Sequence, residues 1–309
     1  MINQHLLCIG YGYTARAIAR QLDRAQWMVS GTTRDTSRID RIRQDSVNPV
    51  LWPDEITAAA ASASHLLISV PPAREGGDTM LACPALEMLG PILADSAGSA
   101  SKTGGRWCGY LSSNGVYGDH GGDWVDEATP PRPTTTRGQR RLVAETAWRN
   151  FGRTKAGVSV TVLRLPGIYG PGRSALDSVR AGTAKRIVKP GQVFSRMHVD
   201  DIAGTVIAAM TVRPDDALFN LCDDEPAPPE DVVGFACDLL GVAPPAPVAL
   251  EDADLSPMGR SFYADNKRVR NQRMKEDLCA TLRYRSYREG LRAILAGEQA
   301  AQVHRAPSG

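Results

Sequence analysis

Gly10, Gly12 and Ala15, in the run GYGYTA, have the types and spacing that bring a phosphate close to a protein backbone. The first glycine permits a tight turn, the second lets a pyrophosphate approach the main chain, and the small third residue lets the following helix pack closely. Tyr11, Tyr13 and Thr14 fill the rest of the turn, and the helix it opens offers unpaired N–H groups to an anion. The chemistry implied is dinucleotide binding. Further on, where an NAD site is expected to place an acid for the ribose 2′-hydroxyl, the sequence reads SGTTRDTSR, with Thr33, Arg34 and Arg38. A guanidinium suits a 2′-phosphate, so NADP is the expected cofactor. Asp35 follows at once and could take the acidic part, which keeps NAD open.

A second constellation lies in PTTTRGQRRLVAE. Thr136 and Gln139 have the spacing of a capping box, which predicts a helix beginning near Arg137. Arg137, Arg141 and Glu145 then share one face, while Val143, Ala144, Ala147 and Trp148 supply an apolar stripe. Two readings stand side by side: a helix that presents arginines to a site, or a solvated helix with an Arg and Glu ladder.

The elements that must position these residues alternate along the chain. LLCI at 6–9, WMVSGT, HLLISV at 65–70, WCGYLSS at 107–113 and VSVTVLRL at 158–165 read as buried strands, with helices expected over Ala15 to Leu22 and Ala85 to Leu93. Such alternation predicts an α/β fold, a Rossmann-type doubly wound parallel sheet. After Pro166 the rhythm loosens into PGIYGPG, KPGQ, PAPPE and APPAPV, which predicts a smaller C-terminal substrate lobe. The expected division is a dinucleotide-binding domain over 1–165, to which 198–225 return, and a lobe over 166–309 interleaved with the sheet.

Composition bounds the function classes. A chain of 309 residues with 42% hydrophobic content can bury a large core, and a net charge of +2 argues against nucleic acid or membrane as the main partner. Lys267, Arg268, Arg270, Arg273, Lys275, Arg283, Arg285 and Arg288 form a locally basic stretch, read as a solvated face. The six cysteines are scattered without metal-ligand spacing and read as buried, reduced thiols; no metal site is expected. No signal-like or membrane-spanning segment is visible, so the expected location is cytoplasmic.

Taken in order, GYGYTA, YLSSNGVYGD, DEATPPRPTT, LRLPGIYGPGR and RMHVDDIA resemble the extended short-chain dehydrogenase/reductase family, the NAD-dependent epimerase/dehydratase group, over roughly residues 5–225. The resemblance implies a Rossmann domain for the dinucleotide and a C-terminal lobe for a small-molecule substrate. It places Ser69, Val70 and Pro71 near the cofactor and Pro166, Gly167 and Ile168 beside the nicotinamide. Ser113 matches the catalytic Ser/Thr that hydrogen-bonds the reacting oxygen; Ser112 is its structural neighbour and is counted with the cofactor-binding set. Asn114 and Arg196 join Arg137 and Arg141 as substrate-binding candidates. A homodimer is also implied, paired through the helix of the Tyr-x-x-x-Lys positions and its neighbour.

One departure is specific. The Tyr-x-x-x-Lys pair of the family falls here on Arg137 and Arg141, as in atypical members that lack the tyrosine. A guanidinium stays protonated and can neither give nor take the proton that the tyrosine moves. Tyr117, His198 and Asp119 are the candidates for that role. Against them, Tyr117 in VYG reads more often as a packing residue, and His198 as a backbone partner ahead of a helix capped by Asp200 or Asp201. The leading expectation is an oxidoreductase or epimerase-like enzyme; a non-catalytic NADP(H) sensor and a protein with a vestigial cofactor site are the alternatives.

Overall fold

The computed structural model describes residues 4–72, 83–95, 105–155 and 157–303. The chain opens with β1 (Gln4–Ile9), α1 (Tyr13–Gln21), β2 (Trp27–Thr33), α2 (Ile39–Gln44), β3 (Asn48–Leu51), α3 (Ile56–Ser62), β4 (His65–Ile68), α4 (Pro84–Asp95) and β5 (Arg106–Ser113). Then come β6 (Trp124–Val125), α5 (Thr136–Thr154), β7 (Val158–Leu165), β8 (Gly167–Tyr169), α6 (Ala175–Arg180), β9 (Arg186–Val188), β10 (Arg196–His198), α7 (Val199–Val212) and β11 (Ala217–Asn220). The last described elements are α8 (Pro229–Leu240), β12 (Pro247–Ala249), α9 (Pro257–Phe262), β13 (Arg268–Val269), α10 (Gln272–Asp277) and α11 (Tyr287–Val303).

Seven strands form one sheet in the order β11-β7-β5-β4-β1-β2-β3, and every pairing is parallel. A parallel sheet must be covered on both faces, which is why its strands are near-continuous apolar runs. On one face α1 and α7 bury Ile18, Ile202 and Val206 with Trp107. On the other, α3, α4 and α5 bury Ile56, Leu89 and Trp148 with Tyr110. A separate cluster of Leu176, Ala236, Tyr287 and Leu291 joins α6, α8 and α11 into a lobe. The strand order reverses between β1 and β4, and in such sheets a crevice opens beyond the carboxyl ends of the strands at that point.

Local details differ from the sequence-based expectations for physical reasons. Helix α5 is capped by Thr135, not Thr136: Thr135 has extended backbone and its hydroxyl accepts from the Gly138 N–H at 3.1 Å. Val143 is 38% exposed and leaves the expected stripe, while Glu145 is buried, so the arginine and glutamate row is not a solvated ladder. The cap of α7 is His198, whose Nδ1 accepts from the Asp200 N–H at 3.2 Å. Asp201 instead turns inward and accepts from the Arg283 and Tyr284 N–H groups. The basic stretch is not one solvated face either: Arg273 pairs with Asp277, Lys275 and Arg285 with Asp224, Arg288 with Glu225, and Lys267 is buried. Five cysteines are buried and Cys279 is exposed. Among the described residues no helix is long and apolar enough to cross a membrane.

Candidate functional site

The turn after β1 is shaped by what touches it. Gly10 has φ +88°, and a Cβ there would lie 2.8 Å from Val70 Cγ1 and 3.0 Å from Ser69 Oγ. Its N–H donates to Thr32 Oγ1 at 2.7 Å, and Ser69 Oγ donates to the Gly10 and Ile9 carbonyls. Thus the turn is clamped between β2 and the end of β4. Gly12 caps α1 without a side chain, and a Cβ at Gly12 would meet nothing within 4 Å. Open space therefore lies in front of an uncapped helix N-terminus whose first turn holds no acid, the surroundings a pyrophosphate needs. The side chains of Tyr11 and Tyr13 point elsewhere. Tyr11 is buried with its hydroxyl on Asp45, which also pairs with Arg16, and Tyr13 donates to the Pro171 carbonyl at 3.1 Å. Thr14 and Ala15 are buried in the first turn of α1.

At the end of β2, Thr33 is buried and its Oγ1 bonds the backbone of Asp35. Asp35 accepts from the N–H and hydroxyl of Ser37, and those bonds hold its carboxyl below the ordinary range. Arg38 reaches back and donates to the Tyr11 carbonyl at 3.2 Å, in the glycine turn after β1. Arg34 is exposed and has no ion-pair partner among the described residues.

The second half of the site is a cleft of about 600 Å³ at the carboxyl edge of β5 and β7. Ser113, Asn114, Arg137, Arg141, Pro166, Gly167 and Arg196 all line it. Ser113 ends β5 and caps the 3-10 turn Asn114–Tyr117, its Oγ accepting from the Gly115 N–H at 3.2 Å. Arg141 is tied to the strand end, donating to the Leu111 carbonyl at 2.8 Å. Arg137 crosses the mouth, with its guanidinium 4.8 Å from the Phe262 ring centre and 3.5 Å from Ser261 Oγ. Arg196 donates to the Phe194 and Ala227 carbonyls from the facing wall. Pro71 is exposed just past Val70, and Ile168 packs against the core that holds α1 and α7.

Three expected proton movers are placed otherwise. Tyr117 is fully buried; its hydroxyl donates to Asn220 Oδ1 at 2.8 Å, the Arg164 guanidinium lies over its ring at 4.6 Å, and burial pushes its hydroxyl up to about 12. His198 is 2% exposed, held between Tyr169 and Tyr284 and occupied as a cap, and burial lowers its pKa. Asp119 accepts from the Gly121 and Asn266 N–H groups, and these bonds, the Asn266 one foremost, lower its pKa. None of the three lines the cleft. Ser112 is buried and donates to Glu145, which forms a buried ion pair with Arg164 at the base of the site.

Sequence reasoning missed the opposite wall: Leu255, Ser261, Phe262, Tyr263, Asp265 and Lys267, from α9 and the segment before β13. Only the basic count of that segment was visible in advance, and it pointed to solvent.

Comparison with known proteins adds to this geometry. The profile of the NAD dependent epimerase/dehydratase family matches residues 9–222. A functionally unknown conserved protein from Silicibacter pomeroyi DSS is 44% identical, with a TM-score of 0.83 over 96% of this chain and 99% of that one. Protein YeeZ of Escherichia coli (strain K12) is 27% identical over 248 residues, 77% of this chain and 84% of YeeZ. MoeE5, solved in complex with UDP-glucose and NAD, shares the fold at 19% identity, with a TM-score of 0.75 over 97% of this chain and 100% of that one.

Proposed function

The chain belongs to the NAD dependent epimerase/dehydratase family, and from that premise we propose that it is a nicotinamide-dinucleotide oxidoreductase or epimerase-like enzyme acting on a carbonyl or hydroxyl compound with an anionic group. The observation that carries this reading is the cleft in which Ser113 meets Arg137 and Arg141 at the carboxyl edge of the sheet.

The residues fit the cofactor. The Gly12 opening at the α1 N-terminus would take the pyrophosphate, Ser69 and Val70 would wall one side, and Pro166 and Gly167 would border the nicotinamide. Arg34 and Arg38, with Asp35 engaged on Ser37, favour a 2′-phosphate and hence NADP over NAD. When bound, such a cofactor supplies or accepts a hydride at the nicotinamide.

The chain's own groups do the rest. Ser113 is exposed to the cleft and can donate to the substrate oxygen, stabilising charge that develops there. Arg137 and Arg141, anchored on both sides of the mouth, can hold a carboxylate or phosphate of the substrate. MoeE5 was solved with a sugar nucleotide, a ligand of that charge class.

The test is NADPH oxidation across a panel of anionic and neutral carbonyl compounds. Ser113→Ala should lower turnover by about 100-fold, the size of one lost donor to a developing oxyanion. Dinucleotide binding with no turnover on any compound would sink the enzyme reading and leave that of a sensor.

A further inference from the structure

The cleft has no tyrosine–lysine pair on α5, and the structure buries the three residues expected to replace it away from the cleft or fixes them in turns. Its titratable lining groups are Arg137, Arg141, Arg196, Tyr263, Asp265 and Lys267. A guanidinium is a poor proton donor or acceptor near neutrality. Burial raises the pKa of Tyr263, taking it further from neutrality. Lys267 moves the other way: burial lowers its pKa, while Asp265 and then Asp119 push it back up, and the net direction is down. A lysine, unlike an arginine, can be brought into the working range by burial.

Its placement is built. The Lys267 ammonium donates to the Gly118 carbonyl at 2.8 Å and lies 3.5 Å from the Asp265 carboxylate, with its side chain 9% exposed. Gly118 ends the 3-10 turn that Ser113 begins, so the lysine reaches from the far wall to the turn that presents the serine. Asp265 is held in turn by the Thr134 hydroxyl, just before α5. The neighbouring Asn266 is pinned to Asp119, Gly191 and Val193, and β13 is pinned to β6, so the segment is fixed from both sides.

We propose that Lys267 is the proton-transfer residue of this cleft, exchanging a proton with the substrate oxygen that Ser113 hydrogen-bonds, and that Asp265 positions it. This rests on the cleft being the active site. In the reductive direction an N–H bond of the ammonium breaks as the product O–H bond forms from the carbonyl π pair. The carbon receives its hydride from the reduced nicotinamide dinucleotide, and the neutral amine recovers a proton from water. Oxidation runs the same exchange backwards.

The experiment has two arms on the full-length protein. Pyridoxal 5′-phosphate, an aldehyde carrying a phosphate, is trapped with borohydride and the modified lysines are mapped across a pH series. The rise of Lys267 modification with pH should have its midpoint below that of the same lysine in the unfolded chain, because burial in the folded protein disfavours the ammonium. Arg137→Ala should slow this step by removing the phosphate partner. In the second arm, Lys267→Arg keeps the charge but cannot release the proton. It should lose about 100- to 10,000-fold in turnover on the carbonyl compound found in the panel and abolish one limb of the pH–rate profile, with NADPH affinity within about 2-fold. Asp265→Asn should shift that limb rather than remove it. Modification confined to exposed lysines such as Lys155 and Lys185, or a Lys267 midpoint equal to the unfolded one, would overturn the proposal. So would full turnover in Lys267→Arg or its loss in Tyr263→Phe instead, and in either case the enzyme reading would stand. Failure of the wild type to bind any dinucleotide would overturn both.

Discussion

Replacing Gly12 with alanine separates binding from folding in a way few substitutions here can. Gly12 has φ −107° and ψ −161°, an extended conformation that alanine adopts freely, and the added methyl would meet no atom within 4 Å. The folded state gains no steric strain, and the freedom lost by the unfolded chain offsets the poorer N-cap that alanine makes, so Gly12→Ala should change stability by no more than about 1 kcal/mol. The methyl would occupy the space in front of the α1 N-terminus. If a pyrophosphate sits there, the displaced charge-assisted contact costs about 1.5–3 kcal/mol, or about 10- to 150-fold in Kd for NADPH. Gly10→Ala is the counterpart. With φ +88° and a Cβ 2.8 Å from Val70 Cγ1, it should lose about 1–3 kcal/mol of stability before any ligand is added. Thermal melts and calorimetric titration of both variants give the comparison. Wild-type NADPH affinity in a folded Gly12→Ala protein would refute placement of the pyrophosphate at this turn.

Three further outcomes are expected. Arg34→Ala should weaken NADPH by about 10- to 100-fold while leaving NADH within experimental error, because only the former carries the 2′-phosphate to which a charge-assisted contact would be lost; parallel calorimetric titrations check this. Glu145→Ala should destabilise the fold by about 3–5 kcal/mol, since it strands the buried Arg164 guanidinium and the Ser112 hydroxyl. Chemical denaturation should show that loss, and Glu145→Ala with Arg164→Met should recover part of it. His65 is packed against Trp27 and Trp107, with Arg213 at 3.0 Å from Nε2, and burial foremost lowers its pKa to about 3. A folded-state pKa below the unfolded value of about 6.5 means that the unfolded state takes the proton first. Stability attributable to His65 is thus fully present above pH 6.5 and is lost as pH falls towards 3. Ring resonances of His65 should stay neutral at pH 5 in nuclear magnetic resonance spectra, and a midpoint near 6.5 would contradict its environment.

How much of this was legible in the sequence depends on the range of the forces involved. The glycine turn after β1 and five of the seven sheet strands could be read because each is a local device: a glycine spacing after an apolar run, or a run buried on both faces, leaves its mark within ten residues, whereas the apolar runs of β3 and β11 are too short to do so. VSVTVLRL was bounded correctly at Val158–Leu165 for that reason. The α5 cap was misplaced by one residue because the TTT run offers the same hydroxyl at 134, 135 and 136, and only the backbone angles at Thr135 select among them. Glu145 shows the larger failure. On a helical wheel it belongs to a charged face, yet Arg164 of β7 lies across from it, and the pair is buried because strand and helix each supply half of it. No window of sequence contains both partners at a recognisable spacing. The same holds for Tyr117, drawn into the core by Asn220 from β11, and for Lys267, which reads as one more cation in a basic stretch until the β13–β6 pairing turns it inward to Gly118. Burial of a charged or polar group is decided by its partner, and these partners lie 19, 103 and 149 residues away. That is why a pattern carried on one turn was visible, and why Lys267, proposed as the proton-transfer group, came to notice only with the far wall of the cleft in view.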